Sequence, residues 1–521
     1  MILLLLLFAL FMGPDYHDAV LLLSGAGTLE ELSEEEIELY DDLSKHPVDI
    51  NNSSRSKLLS CGLFTRFQVA SLIEYRQTSG DVLSLAELAL VDGFNPRLVG
   101  ALSHFISIRT RLPASHRDAL SFRQDVVLAS SLRSSDQEEA PESTYKVKYH
   151  ARLGSMAELY WTSRNSYSDP QASLGTISAA FYGKRHLGKL VLGHYSARFG
   201  QGLNQWSGFS LSGFSSISAF NRRASGLAAT SSASAEHIGI ASDWELGSLG
   251  VSAAADLASK ECVAHLDWSG RNLSLGSTLS STAASADWRY GFADMSLFGE
   301  ASWHYDKSIA AVAGMLWVPR YGRSLALQLR YYSPEYKEYS GIALGYSDAS
   351  AFASADLAVR DGKQQYKLLA QWKPQYPLSD SLSLSPQMRV SLRYRPAESA
   401  PLRADIRLDN QLSLGSFLLT LRYNALWCRG FAHMAYLQLG RKTEALTISA
   451  RTTVYRVDNW DDRIYVYEQD APGTFNVPAL YGRGWKASVF AAWHINRSHS
   501  LWLRLEYRPD RTELKLQYRW R

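Results

Sequence analysis

The sequence predicts a mainly β fold, a large antiparallel transmembrane β-barrel of about 18–20 strands, with a small all-α domain at its N-terminus. Three observations predict it. From about Arg111 onward, apolar and polar residues alternate with period two for roughly 400 residues without an amphipathic helix. The chain carries 28 Tyr and 14 Trp, which a barrel places in girdles at its two membrane interfaces. Ahead of this region, from about Pro47 to Ile108, apolar residues recur at helical spacing instead.

The alternation is explicit in several segments. Tyr145, Val147, Tyr149, Ala151 and Leu153 oppose Lys146, Lys148, His150 and Arg152; Met388, Val390, Leu392 and Tyr394 oppose Arg389, Ser391, Arg393 and Arg395. Leu402, Ala404, Ile406 and Leu408 alternate with Arg403, Asp405, Arg407 and Asp409, and the last segment sets Leu514, Leu516, Tyr518 and Trp520 against Glu513, Lys515, Gln517 and Arg519. A soluble sandwich also alternates, but in lipid only a closed ring leaves no backbone edge unpaired. Asp361-Gly362 and the stretch Pro396 to Pro401 read as hairpin connections.

The apolar run Ile2 to Met12 falls short of the ~20 residues a spanning helix needs and reads as the core of a secretory signal. The expected organisation is a signal peptide over 1–27, a periplasmic helical domain over 28–112 with its core at 47–108, and an outer-membrane barrel over 113–521. Pro113 and Ser115 to Arg117 mark the linker. A net charge of +3 is too small to argue for nucleic acid on electrostatics alone. Cys61, Cys262 and Cys428 lie too far apart for a metal-ligand spacing and are expected as buried apolar residues.

The helical segment resembles the tandem helix-hairpin-helix domain of the ComEA competence family. The resemblance lies in Asp49-Ile50-Asn51-Asn52-Ser53-Ser54 leading to Lys57-Leu58-Leu59, and in Ala70-Ser71-Leu72-Ile73-Glu74-Tyr75-Arg76. It continues through Gly80, Leu85-Ala86-Glu87-Leu88 and Val91-Asp92-Gly93-Phe94-Asn95. DNA-binding members present glycine-hydrophobic-glycine turns whose free N–H groups meet a phosphate. Here the corresponding turns read Leu63-Phe64-Thr65, without glycine, and Gly93-Phe94-Asn95, with one. The candidate DNA or partner contacts are therefore Lys57, Leu63, Thr65, Arg66, Gly93, Asn95 and Arg97. Local basic residues are offset by acidic ones, which favours docking of an envelope protein over DNA.

The whole arrangement also resembles a group of Bacteroidota outer-membrane proteins. That likeness is carried by Arg198-Phe199-Gly200-Gln201-Gly202-Leu203 with Trp206-Ser207-Gly208-Phe209, and by Tyr467-Glu468-Gln469-Asp470 with Val477-Pro478-Ala479-Leu480-Tyr481-Gly482. The terminal strand is similar to the signal read by the outer-membrane assembly machinery, with its aromatic, Trp520, penultimate.

The stretch from Gly200 to Ala235 is either a surface loop, the preferred reading, or an inward constriction whose Arg222 and Arg223 select anions. Arg389, Arg393, Arg403 and Arg407 line a pore in one reading and pair with Asp405 and Asp409 as an ionic filling in the other. No HExxH or GxSxG motif occurs, the Gly208 to Gly213 run is not a nucleophile elbow, and His194, His304 and His433 stand apart, so no catalytic residue, metal or cofactor is expected. The functional expectation is a barrel whose periplasmic domain docks a partner in an envelope transport or assembly complex; the alternative is a DNA-uptake or anion-selective pore.

Overall fold

The computed structural model describes residues 15–109, 122–136, 140–154, 156–167, 171, 173–183, 186–208, 213–232, 237–270, 272–292, 294–319, 323–379, 381–474 and 476–521. Six helices form the N-terminal part: α1 (Tyr16–Ser24), α2 (Glu34–Lys45), α3 (Arg55–Ser60), α4 (Arg66–Thr78), α5 (Leu85–Leu88) and α6 (Pro96–Leu102). Side chains start most of them. Ser33 with Glu36 and Thr65 with Gln68 form capping boxes for α2 and α4, while Ser54, Ser84 and Asn95 cap α3, α5 and α6. The apolar faces meet in a core built on Leu58, Leu63, Phe64, Leu72, Leu88, Leu102 and Phe105, all essentially sealed from solvent. A short parallel pairing of Val48–Asp49 with Ile106–Ser107 joins the beginning of this segment to its end.

The expected signal peptide lies outside the described residues as far as position 14. Its assigned tail does not: α1 buries Ala19, Val20 and Leu23 in the helical core, and Tyr16 rests on Phe105 with ring centroids 5.8 Å apart. The helical domain therefore starts before the boundary at residue 27. An apolar leader and an apolar buried helix face have the same composition, so their junction left no mark in the sequence.

Among the described residues, 24 antiparallel strands close one barrel. The segments read as alternating are the strands Glu142–Leu153, Leu382–Tyr394, Leu402–Leu414 and Arg511–Trp520. The strand number exceeds the expected 18–20 because many connections are two-residue turns rather than loops of strand length. Asp361-Gly362 is one, with both residues at positive φ (52° and 72°) as a type I′ hairpin requires. Gly247-Ser248, Gly415-Ser416 and Pro509-Asp510 are others.

The faces of the sheet are inverted relative to a soluble protein. Along Phe417–Trp427, Leu421 is 49% exposed while its neighbour Arg422 is 9% exposed; Phe417, Tyr423 and Trp427 share the outer face and Asn424 the inner. An apolar exterior over a charged interior is the pattern of a lipid-facing barrel. None of the described helices is long and apolar enough to cross a membrane.

Two compact units make up the chain. The first contains the helical domain and the strands within 178–346; the second contains those within 122–152, 158–177 and 347–521.

Candidate functional site

In the first unit the inward face of the wall carries a run of carboxylates, interspersed with Lys189 and Arg289. Asp243, Glu245, Asp267, Asp287 and Glu300 occupy inward positions of the strands His237–Leu246, Cys262–Ser269, Ala283–Phe292 and Met295–His304. Three of them precede an outward tryptophan: Asp243-Trp244, Asp267-Trp268 and Asp287-Trp288. This repeated dipeptide was the available sequence signal for the acidic wall, and reasoning from alternation alone passed over it.

The helical domain sits on that wall. Arg55 donates to Asp267 Oδ2 at 2.9 Å and to Ser269 Oγ at 3.1 Å. The backbone N–H of Ser56, in the first turn of α3, donates to Glu245 Oε1 at 2.8 Å, placing a carboxylate where the helix dipole favours one. Arg66 reaches His265 Nε2 at 2.7 Å, and the Lys57 ammonium lies 5.0 Å from the centre of the Tyr182 ring.

The remaining predicted contacts serve the domain itself. Leu63 is buried. Thr65 accepts from the N–H of Gln68 and Asn95 accepts from that of Leu98, so the donors a phosphate would meet there are already satisfied. Gly93, at φ +84°, has the Phe67 ring against it, and Arg97 is exposed in the first turn of α6. The structure thus brings Lys57 and Arg66 to the wall, where a DNA contact through all seven residues would have to compete for them.

The long connection after Leu187–Arg198 folds inward, against the preferred surface-loop reading, because Phe199, Phe220 and Leu227 are buried. Its Gly-Gln-Gly segment wraps a wall carboxylate: the N–H groups of Gln201 and Leu203 donate to Glu300 Oε2 at 2.6 and 3.2 Å. Gly200 has φ +57°, and a Cβ there would lie 2.7 Å from that carboxylate, so glycine is required twice over. Phe199 stacks on His265 with centroids 4.3 Å apart, putting this connection and Arg66 on one imidazole.

Farther along, Ser218, Arg223 and Ser216 donate to the carbonyls of Leu22, Leu23 and Gly25 at 2.9, 2.8 and 2.7 Å, covering the C-terminal end of α1. Arg198 adds a 2.7 Å bond to Glu35. Arg222 donates to Gln201 O and lies over the Trp206 ring. The pore-lining reading of Arg222 and Arg223 is corrected accordingly: both hold backbone carbonyls. Burial pushes the Arg223 guanidinium below its ordinary value and the Cys61 thiol in α3's C-cap up to about 12. Cys262, expected as buried, is exposed at the start of its strand.

In the second unit the inward face is basic. Arg407 pairs with Asp409 at 2.6 Å, Arg422 shares the same carboxylate, and Arg393 pairs with Glu398 at 2.7 Å. Arg389 is buried, and Asp405 accepts from Asn424. Arg403 donates to the carbonyls of Asp461 and Arg463 at 3.0 and 3.1 Å. Of the four arginines, Arg407 pairs with Asp409 as the ionic-filling reading has it, while Arg393 pairs with Glu398 and Arg403 holds carbonyls.

Those two carbonyls belong to a second inward connection, 458–481, whose Ile464, Val466 and Leu480 pack with Leu426, Ala432 and Met434. Its Tyr467-to-Asp470 stretch meets the wall head on. Glu468 is bonded by Lys486 and Arg504, all three about 2% exposed, and Asp470 accepts from Lys515 at 3.0 Å. Arg451 donates to Tyr467 O at 2.8 Å, Gln517 to Pro472 O at 3.1 Å and Ser449 to Gln469 at 2.9 Å. In sequence, Tyr467 to Asp470 stands out only through the resemblance to the outer-membrane group. The signal was an acidic pair in a connection flanked by strands rich in Arg and Lys.

No family profile matches the sequence, and no curated protein matches it. Among solved structures, the P pilus usher PapC translocation pore is similar at TM-score 0.41 and 7% identity over 77% of this chain and 99% of that one. OpdL of Pseudomonas aeruginosa aligns at TM-score 0.32 and 10% identity over 77% and 98%. OccAB3 of Acinetobacter baumannii aligns at 0.32 and 7% over the same shares.

Proposed function

We propose that this chain is an outer-membrane barrel with a transport role, a channel narrowed by its own helical domain, which opens when that domain leaves its seat on the acidic wall. One observation carries the reading: the cations and the helix N-terminus of α3 and α4 are matched to inward carboxylates and an imidazole, through Arg55 with Asp267, Ser56 with Glu245 and Arg66 with His265. A domain serving only as a periplasmic tether has no need of such a seat. The apolar exterior and the signal-like N-terminus support placement in the outer membrane.

Planar-bilayer recording tests it. The intact protein is expected to show small, infrequent openings, and Asp267→Asn with Glu245→Gln, which removes two anchoring charges, is expected to raise open probability severalfold. Identical traces from the two proteins sink the gating idea.

A second reading, docking of an envelope protein, is favoured by Leu83, Leu85 and Leu90, which are 71%, 40% and 66% exposed around α5, whereas the other described leucines of the domain are buried or half-buried. A partner bound there could draw the domain off the wall. Pull-down from native outer membranes, compared with Leu83→Glu/Leu90→Glu, tests this: a partner retained equally by both proteins excludes that edge.

A further inference from the structure

We infer that the basic wall of the second unit is a binding site for a solute bearing two or more carboxylates, and that the connection 458–481 occupies it with Glu468 and Asp470 as an internal stand-in. The inference rests on the channel reading above and names the solute class it would pass.

The direction of the bonds is the first argument. From wall to connection they run from donor to acceptor: Arg403, Arg451, Lys486, Arg504, Lys515 and Gln517 all give, and carboxylates or carbonyls of the connection receive. The charge balance is the second. On the strands Gly482–His494, His499–Arg508 and Arg511–Trp520, the inward cations near this place are Lys486, Arg504, Arg508, Arg511 and Lys515, while the inward carboxylates are Glu506 and Glu513. Glu506 is already shared among Arg504, Arg508 and Arg511. Without the connection, these inward cations, of which Lys486 and Arg504 are buried, would outnumber their partners, and a wall in that condition recruits an anion.

The occupant itself defines the ligand class. Two carboxylates one residue apart are held at once, one by Lys486 and Arg504 and the other by Lys515, with Arg504 also 4.0 Å from Asp470. A solute with two carboxylates at similar separation would reproduce both sets of bonds. The connection is continuous at both ends with strands, Leu446–Val457 and Gly482–His494, so any such solute competes against an intramolecular ligand at high effective concentration. The site therefore binds weakly until the connection is displaced.

Equilibrium dialysis of radiolabelled succinate against the full-length protein in detergent tests the assignment, with folding verified by heat-modifiable migration on gels. Glu468→Gln/Asp470→Asn is expected to bind succinate at least tenfold more tightly than the unmodified chain, and to lose that gain when Lys515→Gln is added. If the double variant fails the folding check, Asp470→Asn alone carries the measurement, since it frees Lys515, whose side chain is partly exposed. No gain in whichever variant folds overturns the site. An equal gain for inorganic phosphate overturns the carboxylate class. Succinate binding by a protein that never conducts would uphold the site and sink the channel reading instead.

Discussion

The inner walls of the two units use the same device with largely opposite sign. In the first, carboxylates on the strands receive from Arg55, the Ser56 N–H and the Gln201 and Leu203 N–H groups, while Arg198 of the wall donates the other way to Glu35. In the second, the strands supply Lys486, Arg504 and Lys515, and the 458–481 connection supplies Glu468 and Asp470. The difference teaches what each attachment is suited to. Backbone N–H groups and partly exposed arginines form bonds of modest net worth, fit for a body that must leave. The group of Glu468 with Lys486 and Arg504 is sealed from water and costs much to break singly, fit for an element that stays until another anion replaces it.

The contrast predicts a ranking of effects. Arg504→Ala leaves the buried Glu468 to Lys486 alone and weakens the hold on Glu506, so it should destabilise the barrel by about 3–5 kcal/mol, read as an earlier urea midpoint for the heat-modifiable band. A shift within error of the unmodified protein would mean that water already reaches this network. Gly200→Ala imposes a left-handed conformation on alanine and pushes a Cβ at Glu300; the conformational part alone is about 1–2 kcal/mol. Its readout is local: trypsin should begin to cut after Arg222 or Arg223 in otherwise folded protein, and continued resistance would place the anchor elsewhere. Arg55→Ala is the mildest, with a loss of about 1 kcal/mol, because Arg66 lies near enough to Asp267 to go on compensating its charge. A double-mutant cycle with Asp267→Asn measures it, and a coupling as large as the Arg504 effect would erase the distinction between the two walls.

Much of the fold was legible because lipid enforces a simple rule. Leu421 outside and Arg422 inside follow from period two, and so do the strands around Tyr145, Met388 and Leu514. Strand number was harder to read, since Asp361-Gly362 announces a tight turn while Pro509-Asp510 and Gly415-Ser416 do so less plainly. The inward contacts were illegible for a different reason. Alternation says that Arg66 and His265 are polar, but not that residues 199 positions apart meet, and it cannot tell an arginine that lines water from one that, like Arg403, holds a carbonyl. The glycines of Arg198-Phe199-Gly200-Gln201-Gly202-Leu203 stood out in sequence, yet their reason, the Glu300 carboxylate, lies on a strand some hundred residues away.

The small parallel pairing of Val48–Asp49 with Ile106–Ser107 has a mechanical consequence. Val48 N bonds Phe105 O at 2.9 Å and Ile50 N bonds Ser107 O at 3.2 Å, so traction arriving through residue 109 is passed straight across to residue 48. Force crosses the base of the helical segment without running through α6, α5 and α4 in turn. Tugged from its C-terminal tether, the domain would come away whole, and unravelling turn by turn would begin only after this clasp had torn.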